Sequence, residues 1–208
     1  MRTIVLATRN RGKARELQAL LAGLPARVRL LDEYPNVPSL PESGETFEAN
    51  AIAKAAAVVR LTGCAALADD SGIEIDALGG APGVHSATFL GDAATDADRN
   101  AWVLERLSGI PQEARTARYR AVVAVATPDG TVRTFEGICA GAIAEQPRGR
   151  EGFGYDPIFV VAGYGQTMAE LRPEVKNRIS HRARALEGAR PYLESLASDS
   201  AVESPPRP

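Results

Sequence analysis

The sequence predicts an α/β fold with a mixed β-sheet, and two observations predict it. In the first half of the chain, apolar β-rich runs alternate with helical patterns, the order of strands joined by crossover helices. Further on, two long β-rich segments meet at Pro128-Asp129-Gly130, a hairpin signal that demands an antiparallel pair.

The elements follow in order. Residues 3–8 form a continuous apolar run, hence a buried strand, and residues 9–12 a turn. A helix over 13–21 turns Leu17, Leu20 and Leu21 inward, and residues 27–31 give a second strand. Residues 32–44, rich in Pro and acid, form a loop. Thr46 caps the next helix, whose apolar stripe is Phe47, Ala51, Ala55 and Val58 and whose stop is Gly63. Thr46, Asn50 and Lys54 fall four apart beside that stripe and point one way. Residues 65–68 form a short buried strand that ends at Asp69-Asp70-Ser71-Gly72. Residues 73–78 alternate, with Glu74 and Asp76 on a solvated face opposite Ile73 and Ile75. A tight loop over 79–83 precedes a helix over 96–107, and the hairpin strands are 118–127 and 131–143. A glycine-rich loop over 146–156 leads to a strand over 157–161. Ser180 caps a final helix with Ala183, Leu186, Leu193 and Leu196 inward. Residues 1–197 are expected to form one domain, and residues 198–208 a disordered tail.

Bulk properties exclude several classes. A chain of 208 residues fits one domain, and its 45% hydrophobic and 24% charged residues are those of a soluble globular protein. Net charge is -2 with scattered basic residues, which argues against nucleic-acid partners. No stretch reaches membrane-spanning length, and the run over 3–8 is too short for a signal peptide, so no membrane partner is expected. Cys64 and Cys139 give no disulfide framework and read as free thiols of a reducing cytoplasm. His85 and His181 are too few and too separated for a histidine-rich metal site. A metal would need carboxylates, which points to magnesium.

Only three of the 24 basic residues are lysine: Lys13, Lys54 and Lys176. An ammonium is a compact point charge suited to a phosphate oxygen, whereas a guanidinium is a broad fork. Each lysine also lies among other polar residues, which points toward a polyphosphate site.

Four segments can carry chemistry. Thr8-Arg9-Asn10-Arg11-Gly12-Lys13 joins a strand to a helix start, whose free N–H groups attract phosphate. It is not a Walker A loop, because Ala7 and Ala14 replace the required Gly and Ser or Thr, and an ordinary strand–helix turn explains it equally well. Asp69 and Asp70, at an apolar strand end, repel each other unless a cation compensates. Magnesium with Glu42 would do so, and so would solvation of a plain turn. In Gly152-Phe153-Gly154-Tyr155-Asp156-Pro157 the aromatic ring offers a face to a base, or plugs the loop. Ser180-His181-Arg182, with Lys176 four residues before, gathers donors at a helix start, or forms a charged entry facing water.

Together these segments closely resemble the inosine triphosphate pyrophosphatase family, which removes non-standard purine nucleotides. The match covers nearly the whole chain. It comprises Thr8-x-Asn10-x-x-Lys13, Ser43-Gly44-x-Thr46-Phe47-x-x-Asn50-Ala51-x-x-Lys54-Ala55, and Ala68-Asp69-Asp70-Ser71-Gly72. Leu78-Gly79-Gly80-Ala81-Pro82-Gly83, Phe153-Gly154-Tyr155-Asp156-Pro157, Ala169-Glu170-Leu171 and Lys176-x-x-Ile179-Ser180-His181-Arg182 follow in order. The resemblance implies magnesium-dependent hydrolysis of a purine nucleoside triphosphate to monophosphate and pyrophosphate. It also implies an elongated mixed sheet flanked by helices, two lobes around a central cleft, and a homodimer. By position, Asp70 would accept the proton and bind metal with Glu42. Residues Thr8, Arg9, Asn10, Arg11, Gly12 and Lys13 would hold the triphosphate, helped by Lys54 and Ser71. Phe153, Gly154, Tyr155, Asp156, Lys176, His181 and Arg182 would hold the base and sugar. Donors such as Arg182 would pair with the 6-oxo group of inosine or xanthosine and face the amino group of adenine with a mismatch.

Three positions depart from the family pattern. Ala49 replaces a Glu, with Glu48 turned off that face, which would weaken metal binding or shift the work to Asp69. Arg9 replaces a Gly between Thr8 and Asn10, and Thr88 stands where a basic residue is common. Two rivals share the phosphate site: an enzyme passing the γ-phosphate to an acceptor, and a non-catalytic nucleotide sensor.

Overall fold

The computed structural model describes residues 2–91 and 93–199. One sheet of six strands runs in the order β2-β1-β3-β4-β5-β6. These are β1 (Thr3–Leu6), β2 (Arg27–Leu30), β3 (Ala65–Ile75), β4 (Thr116–Ala126), β5 (Val132–Ile143) and β6 (Phe159–Val161). β1 pairs in parallel with β2 and β3, and the remaining pairs are antiparallel. The sheet is therefore mixed, as the alternating first half and the hairpin demand. Five helices flank it among the described residues: α1 (Arg11–Leu20), α2 (Phe47–Thr62), α3 (Asp96–Arg106), α4 (Pro173–Ile179) and α5 (His181–Asp199).

Four elements differ from the sequence expectation. β3 does not stop at Ala68. It continues through Asp69-Asp70-Ser71-Gly72, because β4 supplies a partner for every residue from Ala66 to Ile75. Pairing overrides the turn preference of Asp and Ser. α4 was not anticipated, although Pro173 at its first position is a start signal and Lys176 and Arg178 in its last turn suit a C-terminus. β6 starts at Phe159, since Pro157 lies in a tight turn and has no N–H for a ladder. α5 runs through Asp199, two residues into the expected tail, and residues 200–208 lie outside the described residues.

The core has three parts. On one sheet face, Ile4, Leu6, Leu67 and Val123 pack against Leu17 and Leu21 and against Ala185, Leu186, Ala189 and Leu193 of α5. On the other, Val5, Ala66, Ala68 and Val122 meet Phe47, Ala51, Ala55 and Val58 of α2. Farther along the long strands a third cluster gathers Ile73, Ile75, Tyr119, Ile143, Phe159 and Met168 with Val103 and Leu107 of α3. β3 thus enters two apolar clusters by its first residues and a third by its last. Between them lies the polar stretch Asp69 to Gly72.

The start of α5 is pressed onto β5 at Gly137. A Cβ there would overlap the His181 carbonyl oxygen and the Ala185 amide nitrogen. Gly137→Ala is expected to lower stability by about 1–3 kcal/mol, the usual cost of overpacking. Urea denaturation measures this, and an unchanged midpoint would mean that α5 can shift freely.

Candidate active site

Successive strand residues point to opposite faces. Asp69 and Asp70 therefore do not crowd one another at a strand end, as the sequence suggested. Asp69 faces α1 and α5, and Asp70 faces α2. Lys13 Nζ lies 2.9 Å from Asp69 Oδ2. Arg182 donates from Nε to Oδ1 at 3.3 Å and from Nη2 to Oδ2 at 3.2 Å, and the Ser71 hydroxyl donates to Oδ2 at 3.0 Å. Across the sheet, Lys54 Nζ reaches Asp70 Oδ1 at 2.6 Å, Glu42 Oε1 at 3.2 Å and the Asp69 carbonyl at 3.2 Å. Asn50 Nδ2 donates to Asp70 Oδ2 at 3.2 Å. The spacing of Asn50 and Lys54 by four along α2, capped by Thr46, aims both at Asp70.

Charges continue alternating beyond Arg182. Its Nη1 pairs with Glu16 Oε2, Glu16 Oε1 lies 2.7 Å from Lys176 Nζ, and Lys176 lies 2.5 Å from Asp156 Oδ2. Asp156 also accepts from the Tyr119 hydroxyl at 3.1 Å and the Phe153 N–H at 3.0 Å. Lys13 and Lys176 thus join one chain of alternating charges through Arg182, and Lys54 touches it at the Asp69 carbonyl. Glu16 was missed. Its signal was an acid three residues after Lys13, on the same helix face.

The two neighbouring carboxyls are pushed apart in acidity. Burial alone would raise Asp69, but Arg182 and Lys13 outweigh it and hold the group well below the usual carboxylate range. At Asp70 burial wins over Lys54 and Lys13, so its pKa is raised. Asp156 is likewise raised by burial against the pull of Lys176. His181, buried and stacked on Tyr119 with ring centres 4.6 Å apart, is driven well below its ordinary value by burial and by Arg182, so it is neutral.

Two cavities meet over Asn10 and Lys13. One, of about 420 Å³, is lined by Asn10, Arg11, Gly12, Ser71, Phe153, Gly154, Tyr155, Asp156, Lys176, His181 and Arg182 among others. The other, of about 310 Å³, is lined by Thr8, Arg9, Lys13, Glu42, Lys54 and Asp69 among others. Asn10 caps α1 by accepting from the Lys13 N–H at 3.0 Å, and Thr8 Oγ1 accepts from the Asn10 N–H at 3.1 Å. Gly12 makes room for Phe153: a Cβ there would sit 2.6 Å from the ring. Arg11 is exposed at the rim. Arg9 turns toward the Val37 carbonyl at 2.5 Å and Asp32 at 3.6 Å, so its guanidinium is tied to the loop after β2. Tyr155 anchors its loop by donating to the Ser86 carbonyl at 3.0 Å.

Glu42 and Asp70 converge on one point, held by the Lys54 ammonium. Two carboxylates this close are a donor set of the kind magnesium takes. Among the described residues no group of three or more His, Cys, Asp or Glu forms a cage. Asp69, the other acid considered in place of Ala49, is held by Lys13, Arg182 and Ser71. Glu48 is turned away as expected, accepting from Thr134 Oγ1 at 2.7 Å.

Comparison with known proteins decides the family. The profile of the Ham1 family matches residues 4–192. The chain belongs to the Ham1 family. A relative from Symbiobacterium thermophilum named dITP/XTP pyrophosphatase is 54% identical over 183 residues, 88% of this chain and 90% of that protein. One of the same name from Geobacter sulfurreducens is 50% identical over 186 residues, 89% and 94% of the two chains. The solved Ham1 protein of Coxiella burnetii superposes with a TM-score of 0.81 at 42% identity, covering 98% of this chain and all of that one. The fold of this Ham1 chain is thus that of its family. No helix among its described residues is long and apolar enough to cross a membrane.

The neutral His181 of this Ham1 chain gives a pH prediction. Its folded pKa is depressed, so its stability contribution is present above the unfolded value of ~6.5 and is lost as pH falls toward the folded value. Asp70 and Asp156, with raised values, act in the opposite sense, so a variant comparison is needed. The stability gap between wild type and His181→Gln should change by about 1.4 kcal/mol between pH 7.5 and 5.5, to the disadvantage of wild type. Urea denaturation at both values checks this, and a constant gap would show that His181 titrates normally.

Proposed function

We propose that this chain hydrolyses the triphosphates of inosine, deoxyinosine and xanthosine to the monophosphate and pyrophosphate. The observation that carries the reading is the split acidity of Asp69 and Asp70 beside a cation-lined pocket. Two titratable groups whose surroundings drive them apart divide acid–base roles. Asp69 is a permanent anion that holds Lys13 and Arg182. Asp70 is the more basic carboxylate and is suited to take a proton from water. The names of the relatives from Symbiobacterium and Geobacter support the same reaction.

In this mechanism the water oxygen bonds to the α-phosphorus while the α–β bridging bond breaks. The leaving oxygen departs with pyrophosphate, and the water proton passes to Asp70. Lys13, Lys54 and the first turn of α1 offset the charge that builds on the phosphates. The ion-paired residues number four cations (Lys13, Lys54, Lys176, Arg182) against five carboxylates (Glu16, Glu42, Asp69, Asp70, Asp156), a deficit of one. An anionic triphosphate therefore needs further positive charge. Magnesium held by Glu42 and Asp70 would supply it, polarising phosphate oxygens and acidifying water.

At the base end Phe153 offers its ring, with Lys176 Nζ 5.2 Å and Arg182 Cζ 5.9 Å from its centre. Arg182 carries five N–H hydrogens and uses four, which leaves one on Nη1 for a 6-oxo acceptor. An adenine amino group there would face a donor. The family resemblance supports a homodimer, and the free thiols of Cys64 and Cys139 suit the cytoplasm.

With magnesium, the chain should release pyrophosphate from deoxyinosine triphosphate at least about a hundredfold more efficiently than from adenosine triphosphate. Orthophosphate as first product would point to γ-phosphoryl transfer, and binding without turnover to a sensor. Asp70→Asn should lower kcat by roughly a thousandfold, within the range of a lost general base, and keep its circular dichroism spectrum. Undiminished turnover of that variant would remove Asp70 from the reaction.

A further inference from the structure

Gly154 is held from one side of the larger cavity by α3. Asp96, the first residue of α3, accepts from the Gly154 N–H at 2.7 Å. Asn100, one turn on, donates Nδ2 to the Gly154 carbonyl at 3.1 Å. Residues four apart share a helix face, so one helix fixes the peptide units on both sides of Gly154. Gly154 adopts φ +63°, a left-handed conformation that defines where the loop turns. The Phe153 N–H is tied to Asp156, and the Phe153 ring lies against Gly12 of α1. The loop therefore spans the cavity from α3 to α1, and its α3 end is the clamp.

α3 is itself well anchored. Thr95 and Asp98 cap it reciprocally, and Arg99 donates from Nε to the Phe89 carbonyl at 2.8 Å. Asn100 is only 5% exposed, and its Oδ1 takes no partner among the described residues. A buried amide with an unsatisfied oxygen is costly, and an apolar residue of similar size would pack better. Packing therefore does not account for an amide here. The bond to Gly154 is the only hydrogen bond its side chain makes among the described residues.

We infer that Asp96 and Asn100 are positioning residues for the base. By fixing Gly154 they hold Phe153 as a stacking face, and so set affinity for the purine end of the nucleotide without acting on its phosphates. The inference rests on the nucleotide reading of the cavity.

The test compares wild type with Asp96→Ala, Asp96→Asn, Asn100→Ala and the Asp96→Ala/Asn100→Ala double variant. Calorimetry gives Kd for deoxyinosine triphosphate and for inorganic tripolyphosphate, and pyrophosphate release gives kcat and KM. Each alanine variant should raise nucleotide Kd and KM about five- to tenfold, with kcat and tripolyphosphate Kd within about twofold. Asp96→Asn should recover most of the loss, since its amide oxygen can still accept from Gly154. The double variant should lose less than the product of the single losses, because both bonds serve one residue. Asp96 is half exposed, so the Asp96 pair decides the matter even if Asn100→Ala fails to fold. Unchanged nucleotide affinity, or an equal loss for tripolyphosphate, overturns the clamp. A wild type that binds the nucleotide but releases no pyrophosphate overturns the hydrolase reading alone. One that binds it no better than tripolyphosphate overturns both.

Discussion

The buried pair of Asp69 and Arg182 is the constraint on which the rest of the site depends. Both side chains are essentially withdrawn from water. Removing one partner from such a pair costs about 3–5 kcal/mol, because a charge is left buried and alone. The pair is also what ties distant segments together. Asp69 brings in Lys13 from α1, and Arg182 brings in Glu16 from α1 and, through it, Lys176 from α4. Lys176 in turn holds Asp156 and the loop that carries Phe153. Each step is short, and each buried charge has an opposite neighbour. This ladder orders the pocket before any ligand arrives, which is how electrostatic preorganisation is achieved.

The ladder has a place to exist because β3 is shared between apolar clusters. Its first residues are locked into two of them and its last residues into a third. The intervening polar residues are held in strand geometry by their pairing with β4. Backbone hydrogen bonding, rather than local propensity, fixes the direction of each carboxylate. One then finds guanidinium and ammonium partners, and the other finds a single ammonium and an amide. Opposite acidities follow from those unequal surroundings.

Much of this was legible in the sequence. The mixed sheet followed from the alternation of elements and from Pro128-Asp129-Gly130. The convergence of Asn50 and Lys54 followed from helical spacing. The rarity of lysine picked out three residues that the fold gathers into one region. What local reading missed was tertiary in origin. Asp-Asp-Ser-Gly looks like a turn until β4 pairs with it. Glu16 is an unremarked surface acid until α5 delivers Arg182. Asn100 carries no motif, and only the path of the 153–156 loop gives it a partner. α4 is the exception, since Pro173 and the basic residues of its last turn were visible and went unread.

The alternation of side chains along β3 has a consequence for how such a chain can change over time. A substitution in the strand alters one contact. A one-residue insertion or deletion between Ala65 and Asp69 would do something else, rotating the following residues by half a period. Asp69 and Asp70 would then exchange sides, each meeting the other's helix. Length in this segment is therefore under tighter constraint than composition, and the reading frame of a single ladder becomes part of the chemistry.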